Sequence, residues 1–339
     1  MLRVLHLTGS PVSPFFAELS TVYGRDCLRA TADPARYEFH VAHVTPDGRW
    51  RFPADLTAGA LAVAPALDLP DALGEIRSLA VDVAVPQLFC LPGMTTYRAL
   101  LDALGVPYPG NPPDVMALGA DKAKTRAVVA SAGVPVPEGR VVTPADPCPL
   151  PPPFVVKPVD ADNSDGLTLV RDPADYRAAL EVAFACSARP RALVERYVPP
   201  GREVRCGVLV RDGVPTALPL EEYPLPSGVR PRADKLADDG DGGLSLVAKA
   251  AGRSWIVDPA DPVTEVVREQ ALRCHEALGC RDYGLFDFRV DPEGRAWFLE
   301  AGLYCSFAPT SVITTMAGAA GIGLAELFGE AVAAAVLRG

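Results

Sequence analysis

Residues 283–301 constrain this chain more than any other stretch. Phe286, Phe288 and Val290 alternate with Asp287 and Arg289, the two-residue period of a strand with one buried face. Asp291-Pro292-Glu293-Gly294 supplies a turn. A second strand follows over 296–301, with Trp297 and Leu299 on an apolar side and Glu300 opposite. If Phe288 opposes Leu299, then Asp287 opposes Glu300, and two carboxylates stand ~5 Å apart. That pair is costly unless a cation lies between them. Magnesium is the natural one, because it prefers hard oxygen ligands and nucleotide phosphates. The bland alternative is a solvated acidic strand face.

The other elements fix the context. Residues 3–8, 39–44 and 81–85 read as strands, and 17–30 and 97–104 as helices. That alternation predicts a parallel sheet covered by helices. Gly105-Val106-Pro107-Tyr108-Pro109-Gly110 breaks the pattern. A helix over 120–132, strands at 154–158 and 167–170, and a helix over 173–184 form a small α+β unit. The last unit opens on Ala192-Leu193-Val194-Glu195. It carries a Gly-, Asp- and Pro-rich loop over 224–251 and ends in a helix over 324–337. Three lobes are expected, at 1–110, 111–190 and 191–339, each within the usual domain size.

At 339 residues with a net charge of −10, the chain lacks the concentrated basic surface of a nucleic-acid groove. No window approaches the roughly 20 apolar residues of a membrane span, and the N-terminus is too short for a signal peptide. A cytoplasmic protein is expected. The eight cysteines are scattered without a CxxC pair, which argues against a disulfide framework or a zinc site.

Other residues suit a phosphate. Lys122 follows Asp121 at a helix start, and Lys157 ends an apolar strand where it needs a counter-charge. The turn Asp160-Ala161-Asp162-Asn163-Ser164-Asp165-Gly166 has small residues whose N–H groups can approach an anion, although it is unusually acidic. The strand ending Glu195-Arg196-Tyr197-Val198, then Glu203, can offer backbone to an adenine edge and a carboxylate to ribose hydroxyls. Each feature alone is weak, since surface lysines and solvated strand ends look the same.

In this order the pieces resemble the ATP-grasp superfamily and, within it, the D-alanine–D-alanine ligases. The marks run from Glu18-Leu19-Ser20 through Gly105 to Gly110, Asp121-Lys122, Gly133-Val134-Pro135-Val136-Pro137, Val156-Lys157-Pro158, Val194-Glu195-Arg196-Tyr197, Asp287 and Leu299-Glu300-Ala301 to Ser311 and Ala320-Gly321-Ile322. The resemblance implies an α/β, ATP-grasp fold. An N-terminal parallel-sheet domain would be followed by two α+β lobes enclosing the nucleotide. It implies that Lys122 and Lys157 contact phosphates of ATP, that Ser164 and Gly166 lie in the loop covering them, and that Lys235 is a further phosphate lysine. Glu195, Arg196 and Val198 would hold the adenine, Glu203 the ribose, and Asp287 and Glu300 Mg2+ or Mn2+. Glu18 would meet the amine of the first substrate and Ser311 the carboxylate of the second. A homodimer is also implied. The implied activity joins a small-molecule carboxylate to an amine through an acyl phosphate, releasing ADP and phosphate.

Three positions depart from the family pattern. The second metal position reads Glu300-Ala301-Gly302 where the family has Glu-x-Asn. Leu285 stands where the family has an arginine, two residues before the metal aspartate; Arg289 on the same strand face is either a partial substitute or an exposed strand arginine. Residues 87–95, Gln-Leu-Phe-Cys-Leu-Pro-Gly-Met-Thr, replace the family's His-Gly and Glu-Asp-Gly segment. The replaced segment at 87–95 points to a changed first-substrate pocket. The departures also leave open a catalytically impaired ATP-binding homologue, or an enzyme with a cyclising or other outcome.

Overall fold

The protein is described from a computed structural model that covers residues 1–161, 164–199, 201–224, 237–238, 244–245 and 254–339. Strand β1 (Leu2–Gly9) is the middle of the first sheet. It pairs in parallel with β2 (Tyr37–Val44) and with β4 (Val83–Pro86). The edge strand β3 (Trp50–Arg51) is antiparallel to β2, a departure from the all-parallel expectation. Helix α1 (Pro14–Thr31) starts where the Ser13 hydroxyl accepts from Phe16 N at 3.3 Å, with proline at its first position. Helices α2 (Ala58–Val63), α3 (Leu69–Leu79), α4 (Leu91–Met94) and α5 (Thr96–Leu104) complete this part.

The central sheet is antiparallel. It contains β5 (Gly139–Val142), β6 (Phe154–Pro158), β7 (Thr168–Val170) and β8 (Ala192–Arg196), in the order β5-β8-β6-β7. Phe154, Val156, Val170 and Val194 pack on one face against Ala179, Leu180 and Ala183 of α8 (Tyr176–Ala185). The opposite face carries Val155, Lys157 and Glu195. Before this sheet come α6 (Pro113–Gly119) and α7 (Lys122–Ser131).

The last sheet contains β9 (Arg202–Arg211), β10 (Val214–Ala217) and β11 (Glu221–Tyr223). The short β12 (Ala237–Asp238) and β13 (Leu244–Ser245) pair with each other outside it. Then follow β14 (Trp255–Ile256), α9 (Pro262–Ala277), β15 (Tyr283–Val290) and β16 (Ala296–Gly302). The sheet order is β14-β11-β9-β15-β16, with β10 on β9. Its inner face, including Val204, Cys206, Phe286, Phe288 and Phe298, packs on Val263, Val267, Ala271 and Cys274 of α9. Helices α10 (Val312–Ala319) and α11 (Leu324–Val336) end the chain. Among the described residues no single helix is long and apolar enough to cross a membrane. No disulfide joins any of the eight cysteines.

The hairpin register corrects one expectation. Asp287 opposes Glu300 as anticipated, but Phe288 opposes Phe298, because a β-bulge falls between Asp287 and Phe288. One extra residue on β16, Leu299, resets the alternation. Phe298 therefore joins Phe288 in the core, with ring centroids 6.0 Å apart, while Glu300 still faces outward beside Leu299. Trp297 is not a core residue: its Nε1 donates to Asp291 Oδ2 at 2.8 Å and its ring lies under Arg295 and Arg196.

The first and last sheets are stapled together. Asn111, fully buried, donates from Nδ2 to Tyr283 O at 2.9 Å and Leu303 O at 2.8 Å, and accepts from Arg281 N at 2.7 Å. The adjoining Gly110 has φ +96, and a Cβ there would lie 2.4 Å from Tyr283 Oη, so only glycine fits. Ser20 Oγ accepts from Gly9 N and donates to Gln87 O, both at 2.7 Å. Gln87 Nε2 then donates to Ser306 O at 2.8 Å. Phe328 of α11 packs beside His6 of β1, 6.2 Å between ring centroids. We propose the lobe boundaries at 110 and 190, with α11 reaching back across them to cover the first sheet.

Two outcomes follow from this packing. Phe298→Ala should cost about 3–5 kcal/mol in urea unfolding, and Leu299→Ala at most about 1 kcal/mol; the reverse ranking would mean the bulge is misplaced. Burial holds His6 down to about 3, and burial with the nearby Arg51 holds His43 at about 4; burial holds His275 at about 4. Each stays neutral in the fold while the unfolded chain protonates near the usual ~6.5, so unfolding takes up protons as pH falls. Melting temperature should drop from about pH 6.5 downward, and His6→Leu should flatten that slope. A melting temperature constant down to pH 4.5 would contradict it.

Candidate active site

The site begins as a pattern of charges on two neighbouring strands. Along the outward face of β9 stand Glu203 and Arg205; along that of β15 stand Asp287 and Arg289. The strands are antiparallel, so Arg289 falls opposite Glu203 and Asp287 opposite Arg205. Arg289 Nη2 is 2.7 Å from Glu203 Oε2, and Arg205 Nε is 2.9 Å from Asp287 Oδ1. All four side chains are largely buried, and each charge meets its opposite directly. On the far side of Asp287, Glu300 reaches Lys122 Nζ at 3.4 Å.

Lys122 is placed by its neighbour. Asp121 caps α7, accepting from Ala123 N and Lys124 N at 3.1 Å. Lys122 Nζ donates to Ala161 O at 2.5 Å, which ties the helix start to the Asp160–Gly166 turn. Across the cleft, Val155 pairs with Glu195 and Lys157 with Leu193, so Lys157 and Glu195 are diagonal neighbours, 2.5 Å apart. Arg126 of α7 meets the other Glu195 oxygen at 3.1 Å. In the turn, Ser164 and Gly166 both take left-handed backbone, φ +60 and +73. A Cβ at Gly166 would lie 2.7 Å from Pro158 Cγ.

One cleft between the central and last sheets is lined by Lys122, Lys157, Ser164, Glu195, Arg196, Val198, Glu203, Asp287, Arg289 and Glu300. Gly166 sits in the turn at its rim. Glu18, in α1, and Ser311, the residue before α10, are not in that lining. Lys235 lies outside the described residues. Among the described residues no group of three His, Cys, Asp or Glu could hold a metal; Gly302 offers no third oxygen. Asp287 and Glu300 fit a divalent ion all the same. They are hard-oxygen donors directly opposed on adjacent strands, open to a cleft in which a nucleotide's phosphates can complete the shell.

Two expectations change. The arginine beside Asp287 is Arg205, one strand away; Arg289 is spent on Glu203 and lies toward Val198, whose carbonyl it faces at 3.5 Å. Glu195 lines the cleft, but its carboxylate is the counter-charge of Lys157 and Arg126. Arg205 and Arg126 were missed because each lies in an otherwise ordinary strand or helix and gains meaning only across the sheet. The signal for Arg205 was its two-residue spacing from Glu203.

A family model described as D-ala D-ala ligase C-terminus matches residues 149–333. The D-alanine–D-alanine ligase of Gluconobacter oxydans is 33% identical over 268 residues, 77% of this chain and 82% of its own length. That of Synechococcus sp. is 30% identical over 299 residues, 86% and 87%. In fold, the D-alanine–D-alanine ligase of Coxiella burnetii superposes with a TM-score of 0.75 at 21% identity, covering 99% of this chain and 94% of that one. The VanG D-Ala:D-Ser ligase of Enterococcus faecalis gives 0.76 at 20% identity, covering 98% of each.

The buried trio generates a test. Glu195→Gln leaves Lys157 and Arg126 without their counter-charge, so it should destabilise by about 3–5 kcal/mol in denaturant titration. Replacing all three by apolar residues should recover most of that loss; a costless single substitution would show that the trio is not buried as described.

Proposed function

The chain belongs to the D-alanine–D-alanine ligase family of the ATP-grasp superfamily, and from that premise we propose which of its residues carry out the family's reaction and on what. It is an ATP-dependent ligase: it forms an amide from a carboxylate and an amine and releases ADP and phosphate. The observation that carries the assignment of roles is the single cleft in which Asp287 and Glu300 face Lys122 and Lys157.

A carboxylate is a poor acyl donor because its leaving group would be oxide. Transfer of the terminal phosphoryl group of ATP gives an acyl phosphate. The amine nitrogen then adds to the acyl carbon, and the C–O bond to phosphate breaks. We assign Lys122 and Lys157 to the phosphates, where they neutralise charge on the transferring group. Ser164 and Gly166 place backbone N–H groups over the same oxygens. Arg196 and Val198 offer main-chain groups to the adenine, and Glu203, aligned by Arg289, faces the ribose. Glu195 holds Lys157 in place at the cleft wall through their 2.5 Å contact. Asp287 and Glu300 would hold magnesium, which when bound supplies Lewis-acid charge at the phosphates. Glu18 and Ser311 are assigned to the two substrates, outside the nucleotide cleft.

The substrates we propose are amino acids, one giving its carboxylate and one its amine. D-alanine, named for the relatives, is the first to try. We place the donor side chain beside the replaced segment at 87–95, where Phe89 stands between Tyr23 and Tyr304, ring centroids 5.2 and 5.3 Å away. Donors with larger apolar side chains are therefore expected to be accepted. With ATP as phosphoryl source, we place the protein in the cytoplasm; we propose a homodimer, to be read by light scattering.

Amine-dependent ADP release, followed across pairs of amino acids with magnesium or manganese, tests the reading; no release with any pair would end it. Glu300→Gln should lower turnover about 100-fold or more and raise the magnesium concentration needed for half-maximal rate. An unchanged magnesium requirement would remove Glu300 from the metal site.

A further inference from the structure

The cation nearest Asp287 has no role in the reading above. Arg205 approaches Asp287 through Nε at 2.9 Å and donates through Nη1 to Tyr223 Oη at 3.0 Å. The Tyr223 ring lies 4.7 Å from the guanidinium carbon, and its hydroxyl in turn donates to Glu221. Among the described residues no partner meets Nη2. The side chain keeps 14% of its surface open. As an arginine it stays a cation throughout. Tyr23, from α1, lies within electrostatic reach of it. Arg205 thus stands where the first sheet's helix meets the last sheet, on the side of Asp287 away from Glu203.

Two cations that line the neighbouring cleft differ from Arg205. Lys157 and Arg289 are each locked to a buried carboxylate at 2.5 and 2.7 Å. Arg205 shares Asp287 with whatever that carboxylate must also bind. Once a divalent ion draws on Asp287, the guanidinium needs a second anion, and its planar fork suits a carboxylate. Leu285, on the neighbouring position of β15 across from Gly207, supplies no charge.

Resting on the ligase reading, we propose that Arg205 binds the carboxylate of the acyl donor and the oxyanion that forms from it. As the amine nitrogen adds to the acyl carbon, the carbonyl π pair moves onto oxygen. The oxyanion then re-forms the C=O bond, the C–O bond to phosphate breaks, and the amine's proton leaves with the phosphate. Arg205 donates N–H bonds to that oxygen throughout and gives up no proton.

The test is steady-state ADP release by wild type, Arg205→Ala and Arg205→Lys, with ATP affinity and melting temperature measured alongside. Arg205→Ala should lower kcat/KM for the donor about 100–1000-fold while ATP affinity stays within about twofold. Millimolar guanidinium should restore part of the alanine variant's rate. Arg205→Lys keeps the charge without the fork, and should still lose about tenfold; it carries the test if the alanine variant folds poorly. A variant with wild-type donor kcat/KM, or a loss matched by lost ATP affinity and unrescued by guanidinium, overturns the proposal and leaves the ligase reading standing. A wild type inactive on every pair overturns both.

Discussion

Everything in the cleft depends on the cross-strand pairing of opposite charges between β9 and β15. Glu203 meets Arg289 and Arg205 meets Asp287 because the two strands run in opposite directions with acid and base exchanged. Such buried pairs contribute little net stability, since desolvation offsets most of the attraction. What they do contribute is position. Each carboxylate is held at a fixed place beside its cation, so a nucleotide and a cation meet groups already arranged rather than groups that must be desolvated on arrival.

The central sheet repeats the device on the opposite wall. Lys157 and Arg126 share one glutamate, so the cleft's walls carry charges whose partners sit within the same wall. Lys122 spans the two: it touches Glu300 of the last sheet and the Ala161 carbonyl of the central turn. It therefore reports on both walls at once.

Much of this was legible in the amino-acid sequence. The period of two in 283–290 fixed which side chains of β15 face the cleft; the Asp287–Glu300 pairing was read from a Phe288–Leu299 register, and it holds in the structure only because the bulge shifts the strand by one residue. The register of β16 was not legible, because Trp297, Phe298 and Leu299 are all apolar and periodicity cannot choose between them; the bulge decides. Helix α3 was overlooked although Asp68 caps it, accepting from Asp71 N at 3.1 Å ahead of a proline-containing first turn. Its single apolar face, with only Ala72 and Ile76 buried, left a faint pattern. Arg205 was hidden for a different reason. A strand arginine has no local signature, and its partner lies 82 residues further along the chain, at Asp287.

Gln87 bonds the first sheet to the segment after the last through main-chain carbonyls of Leu7 and Ser306, Asn111 fastens the connector at 111 to the last sheet, and α11 lies across the join. Those two sheets consequently behave as one block of masonry. The central sheet enters that block through the connector ahead of α7 and leaves it between β8 and β9. The cleft wall that carries Asp287 and Glu300 is thus anchored to both ends of the chain, while the wall that carries Lys157 and the Ser164 turn is reached through two connectors.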